Sequence, residues 1–309
     1  MSQPCRRLRR VLCLALIACY GTVAVAASGA SAAAQVTLRT TGNEFRDMVS
    51  DAGFALASPI RAEGDAWAAA ALVGAGFVAL LPIDGPVDRW VVRHPNAGVM
   101  HVLTPFREEH GALVRLVTAR QLVPLSLALV VAGAATDRQG LREAGLGCIA
   151  GWGVSSVVRY ATYAVISRSR PSAGGEPLAF AIPGGSWDQH SFFAGHTTNA
   201  FACASFWTAR FDLDAAEPVL YAAATMVALA RIADRRHWTS DTFVGIAVGI
   251  AIGHTVARRY VDRDDPRDAR VAASARGAAL VASNPAPIAP HHSRLVRPRP
   301  TVILWRAAF

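Results

Sequence analysis

The sequence predicts an all-α fold, a bundle of about six core helices that carry the chemistry at their ends. Three observations point there. Uncharged, apolar runs of roughly 12–18 residues recur along the chain, long enough for helices rather than strands. Gly, Pro and clustered charges punctuate them. Three short polar islands, at 168–171, 191–197 and 230–241, close or open those runs. A polar, ionisable segment clamped between buried helices is expensive unless it does something.

In order, residues 1–34 read as an export signal. Arg6, Arg7, Arg9 and Arg10 form its basic region and Val11 to Ala26 its apolar region, with Ala-rich cleavage options near Ala26 or Ala32. An uncleaved N-terminal anchor is the competing reading, and Leu16-Ile17-Ala18-Cys19 resembles a lipoprotein box. Residues 35–65 read as a connector with a short helix around Asn43 to Ala52. The helical domain is expected over 66–258. Its first run, Ala66 to Ile83, ends at Pro82 and Gly85. Asp88 to Gly111 is charged and carries His94, His101 and His110, whose spacings of seven and nine fit no common metal site; solvated histidines are the expectation.

Gln121 to Ala135 is the next helix, and Glu143 to Ile166 follows, with Arg159 on an otherwise uncharged stretch and Arg168, Arg170 and Pro171 at its end. Ser172 to Gly185 is a Gly/Pro-rich loop. Helices are expected over Thr197 to Phe211, over Pro218 to Leu229, and from Thr239 through the apolar run Thr242 to Ala257. Residues 259–309 form a charged, Pro/Ala-rich tail, expected to be mostly disordered, that ends apolar at Thr301 to Phe309.

The formal charge is +9, and all 31 basic residues are arginine. They are scattered, with no basic stripe interleaved with aromatics, so nucleic acid is not an expected partner. A cationic envelope protein that handles anionic substrates is the simpler account. Of five cysteines, Cys148 and Cys203 fall inside apolar helices, where two buried thiols are favoured over a pair. No cysteine or histidine spacing suggests a metal.

Within the third island, His237 and Asp241 lie four apart. On one helix with His237 at its start they share a face. Asp241 is then expected to accept the Nδ1 proton of His237 and leave Nε2 free as nucleophile or base. An isolated His-x3-Asp is more often a helix cap with a satisfied histidine; the upstream islands change that weighting.

Together the three islands resemble the type 2 phosphatidic acid phosphatase family, whose superfamily includes bacterial acid phosphatases and vanadium haloperoxidases. Its pattern is Lys-x6-Arg-Pro, then Pro-Ser-Gly-His, then Ser-Arg-x5-His-x3-Asp. Here Arg170-Pro171 stands with Tyr163 at the Lys position, Gly195-His196 with Phe193 and Ala194 before it, and Arg231…His237…Asp241 with Ala230 for Ser. The resemblance spans roughly residues 66–257.

The resemblance implies that His237 attacks phosphorus and forms a phosphohistidine, with Asp241 holding its tautomer. His196 would protonate the leaving oxygen and later activate water. Arg170 and Arg231 would grip the phosphoryl oxygens bidentately, with the Gly195 and His196 amides at a helix N-terminus. Arg159, one turn before Tyr163, or Arg168, five residues after it, is a candidate for the missing Lys charge, and the Tyr163 hydroxyl is a further donor. Ala194 removes a donor worth about 1–3 kcal/mol to a charged acceptor. No metal or cofactor is implied, and vanadate is expected as inhibitor or transition-state mimic. The substrate expected is a lipid phosphate or isoprenoid diphosphate, with a soluble periplasmic broad-specificity acid phosphatase or a degenerate non-catalytic member as alternatives. The helices fit either a soluble bundle or short membrane spans. Because nearly all of them lack a charged outer face, membrane association is favoured.

Overall fold

The computed structural model describes residues 32–107, 112–181 and 187–264. Nine α-helices run through the described residues: α1 (Ala32–Ala57), α2 (Gly64–Arg93), α3 (Gly98–Leu103), α4 (Ala112–Arg115), α5 (Ala119–Ala135), α6 (Gln139–Tyr163), α7 (Gly195–Arg210), α8 (Ala216–Ala233) and α9 (Thr239–Asp264). Two two-residue strands, β1 (Ser167–Arg168) and β2 (Phe180–Ala181), pair antiparallel with Arg168 opposite Phe180. The six expected core helices are α2 and α5 to α9, and the all-α bundle stands. The expectations for residues 1–31 and 265–309, and for His110, lie outside the described residues.

The axis of the bundle is α7. Every residue from Thr197 to Phe206 is buried, so its polar groups need internal partners. Thr198 donates to the Ala194 carbonyl at 3.0 Å, and Asn199 accepts from Ser155 at 2.9 Å while donating to the Val117 carbonyl at 3.1 Å. Against α7 lies α9, whose glycines at 245, 249 and 253 recur every four residues on one face. A Cβ at Gly249 would stand 2.6 Å from the Thr198 carbonyl oxygen, and one at Gly253 2.5 Å from that of Ala202. Only glycine lets the two backbones approach this closely. Leu146 and Val154 of α6, Phe206 of α7 and Ile252, Val256 and Tyr260 of α9 fill the core beside that contact.

Four local expectations are corrected. In place of a short helix, most of the connector is one long helix, α1, whose Met48 and Ala55 enter the core, with Asp51 buried beneath Arg259 and Arg263. The first run does not stop at Pro82 but continues through Pro82 and Pro86 to Arg93. α6 ends at Tyr163 rather than Ile166, because the chain turns there into β1. Finally, Cys148 and Cys203 form a disulfide rather than two thiols, with Cα atoms 4.9 Å apart. Small residues cause this, since Gly151 of α6 packs directly on Ala202 of α7.

Among the described residues, three helices are long and apolar enough to cross a membrane: α2, α8 and α9. The most apolar stretch of α2 has no buried residue, and Trp67, Leu72 and Val78 are exposed along it.

Candidate active site

Three helix ends converge, and each is shaped by its own sequence. α8 closes in a Schellman turn, in which the Arg235 N–H donates to the Ile232 carbonyl at 2.9 Å and that of Arg236 to the Arg231 carbonyl at 3.1 Å. This turn needs a left-handed residue, usually glycine, and Arg235 takes it at φ 54°. A bidentate pair to Asp88 at 2.7 and 3.0 Å and a bond to the Pro171 carbonyl at 2.9 Å hold Arg235 there. The turn reverses the chain so that Arg231 and His237 face one space. Arg231 is buried and braced by Asp234 at 2.5 Å, which also accepts from Arg107 at 2.7 Å.

α9 begins at Thr239, so His237 precedes it, and the expected shared face with Asp241 does not form. At the third helical position Asp241 reaches back to the Trp238 N–H at 3.2 Å, the return half of a capping box. Its carboxylate also accepts the Ser191 hydroxyl at 2.5 Å and pairs with Arg168. The His237 Nδ1 bonds instead to the Ser191 carbonyl at 2.5 Å. A carbonyl only accepts, so Nδ1 carries the proton and Nε2 keeps its lone pair. Ser191, buried in the second island, thus stands between Asp241 and His237 and does the orienting expected of Asp241 directly.

Arg168 is likewise corrected. It is fully buried and spends its guanidinium on Asp84, Asp241, the Ser240 hydroxyl and the Pro177 carbonyl, so it is not offered to a substrate. Arg159 goes the other way. Its side chain lies directly over Gly195, where a Cβ would overlap it, and its Nε is buried with no acceptor among the described residues. Arg170 sits at the entry to the loop after β1, donating to the His190 carbonyl at 3.4 Å. Tyr163 is buried with its ring stacked on His190 at 4.6 Å, and burial raises its pKa, so it stays a neutral phenol.

The electrostatics of the histidines show which groups share the space. His196, in the first turn of α7, is pushed down to about 3 by burial and by Arg231, Arg159 and Arg170, with Asp234 opposing. His237 is held well below its ordinary value by burial and by Arg170, Arg231 and His196, against the Ser191 bond. Both are neutral in a pocket of three guanidiniums. Such a cluster of guanidiniums and neutral imidazoles can bind an anion. Gly195, His196, His237, Arg159, Arg170, Arg231 and Tyr163 are thus brought together, while Arg168 and Asp241 lie behind them.

Among the described residues no cluster of three or more His, Cys, Asp or Glu side chains is placed to hold a metal ion, and His94 and His101 are exposed. Sequence reasoning missed the roles of Ser191, Ser240 and Asp84. Asp84 did carry a signal, an acid flanked by two prolines in an apolar helix, where ionisable residues are rare and have a task. Beside the site, Phe77, Val165, Ile166, Phe180, Ala181 and Phe192 line an open apolar cavity of about 480 Å³.

Residues 146–265 match the family model described as the PAP2 superfamily. Over 68 residues the chain is 37% identical to a protein named lipid A 1-phosphatase from Porphyromonas gingivalis (strain ATCC 33277), a stretch covering 21% of this chain. The chain spans 15% of that relative's length. No solved structure matches.

Proposed function

Because the chain carries a PAP2 superfamily domain over residues 146–265, we propose that it is a phosphatase of lipid phosphates that works through a phosphohistidine at His237. The observation that carries this reading is the fixed tautomer of His237, Nδ1–H on the Ser191 carbonyl, beside His196 and three arginines. The Nε2 lone pair attacks phosphorus as the bond to the leaving oxygen breaks. Arg159, Arg170 and Arg231 neutralise the equatorial oxygens, where charge must be matched by preorganised donors. The Gly195 and His196 amides stand at the N-terminus of α7, a second anion-binding element.

His196 supplies the proton. Burial, with the Arg231, Arg159 and Arg170 guanidiniums, holds it neutral in this structure. A phosphate dianion offsets those charges and raises its proton affinity, so that binding itself arms the acid. Once the alcohol has left, neutral His196 takes a proton from water, which attacks the phosphohistidine. The scheme needs no metal. The apolar cavity beside Arg168 and the exposed apolar face of α2 support a substrate that stays in a membrane, as does the name of the relative, a phosphatase of a lipid.

The test is phosphate release by the detergent-purified full chain in EDTA, on phosphatidate, phosphatidylglycerol phosphate, undecaprenyl diphosphate and p-nitrophenyl phosphate. Vanadate-sensitive turnover on a lipid substrate, lost in His237→Ala, is expected. Preference for p-nitrophenyl phosphate would favour a broad-specificity acid phosphatase. Silence across the panel would mean that Ala194 and Tyr163 have cost the activity.

A further inference from the structure

We propose that Asp84, which lies outside the stretch matched by the family, is a positioning residue for the reaction, acting on His237 through Arg168, Asp241 and Ser191. The inference rests on His237 being the nucleophile. Asp84 is 1% exposed and sits in α2 between Pro82 and Pro86. It accepts the Ser240 N–H at 2.9 Å, the Ser240 hydroxyl at 2.5 Å and Arg168 at 2.8 Å. It therefore caps the first turn of α9 from a different helix, satisfying an amide that α9 itself cannot.

Arg168 continues the chain. Its five N–H donors make five contacts, two to the Pro177 carbonyl, one to Asp84, one to the Ser240 hydroxyl and one to Asp241. A guanidinium so fully bonded is rigid. Asp241 passes the constraint on, with one oxygen on Arg168 and the other on Ser191 and Trp238. Ser191, fixed by its hydroxyl, presents its carbonyl to His237 Nδ1. Asp84, Arg168, Ser191 and Asp241 are each no more than 1% exposed.

Stability alone does not explain this arrangement. A buried ion triad is generally no more stable than well-packed apolar residues of the same volume, and here it sits beside a helix whose most apolar stretch is unburied. What the triad does provide is position, since it runs from α2 to the one nitrogen whose partner sets the tautomer of the nucleophile. Without Asp84, Asp241 is the one carboxylate left to Arg168 among the described residues, beside the Pro177 carbonyl and the Ser240 hydroxyl. That carboxylate is then drawn toward Arg168 at the expense of the Ser191 hydroxyl, and the carbonyl under His237 loses one of its two anchors, the other being the bond from the Ser191 N–H to the Arg168 carbonyl at 3.0 Å.

Asp84→Asn in the full chain, purified in detergent, is the test, read by steady-state kinetics and by the histidine 15N NMR spectrum, with the His237 signal assigned from His237→Gln. A displacement of this kind is expected to lower kcat about 100-fold while KM changes less than about twofold. The His237 Nδ1–H signal should weaken. Asp84→Asn added to Asp241→Asn should be no slower than Asp241→Asn alone, because both lie on one chain. Asp84→Glu, which keeps the charge, should recover part of kcat and serves in place of Asp84→Asn should the latter fail to fold. An unchanged kcat with an unchanged Nδ1–H signal, or losses that multiply, would overturn the inference. If the wild-type protein shows no turnover, the phosphatase reading falls, and the Nδ1–H signal alone still decides whether Asp84 orients His237.

Discussion

Arg159 is the residue on which the departure from the family pattern turns. Tyr163 occupies the position where that pattern has a lysine, and its neutral phenol cannot supply the charge. Arg159 lies on the same helix one turn earlier, its guanidinium over Gly195 and its Nε without an acceptor. A buried N–H without an acceptor costs stability, and a phosphate is a partner that would offset that cost. Arg159→Met is therefore expected to raise KM about 10-fold or more, the worth of one hydrogen bond to a charged group, while leaving the melting temperature unchanged or higher. A lowered melting temperature with unaltered KM would assign Arg159 to structure. Sequence reasoning reached Arg159, Arg170, Arg231, both histidines and Gly195, because each stands in or beside a spaced motif. It erred on Asp241 and Arg168. Their partners, Ser191 and Asp84, are 50 and 84 positions away in the chain, and no local spacing reports such contacts.

Between elements, the decisive contact is α7 on α9, since His196 opens one and His237 precedes the other. The glycines at 245, 249 and 253 set its distance, and the nearest atom facing each is a backbone carbonyl oxygen, which cannot rotate away. Gly249→Val is expected to destabilise the fold by about 1–3 kcal/mol through overpacking. It should also lower kcat by more than the unfolded fraction explains, because separating the two helices separates the two histidines. Thermal melts paired with kcat on the same preparation check this. The glycine spacing was visible in the sequence, but its meaning was not, because a small-residue face shows nothing of which helix it meets. α2 shows the converse. Pro82 and Gly85 read as a stop, yet the helix continues, with Asp84 held there by α9 and Arg168. Tertiary bonds override a local breaker when they fix the same residues.

For the molecule as a whole, the neutral histidines tie stability to pH. His196 has its pKa lowered from 6.5 to about 3, and His237 moves the same way. Below about pH 6.5 the unfolded chain takes up protons that the folded chain refuses. Their contribution to stability is therefore complete above about pH 6.5 and lost as pH falls toward 3. The melting temperature in detergent should fall between pH 7 and pH 4, and the slope should be shallower in His196→Gln, where Arg231, Arg159, Arg170 and Asp234 no longer face a titrating ring. An unaltered slope would remove His196 from that account. Phosphate or vanadate, by adding negative charge beside His196, should shift the transition to lower pH.

The sequence by itself determined the class of fold, the six core helices, the three polar islands and the arginines and histidines in and beside them. These follow from periodicity and from residue type at short spacing, which are properties of neighbours in the chain. Only the tertiary structure decided that Ser191 holds His237, that Arg168 is turned away from the site, that Arg159 is turned into it, and that Cys148 meets Cys203. Each of these depends on which side chain satisfies a buried polar group, and a buried group takes whichever partner packing brings within reach, at whatever distance in sequence.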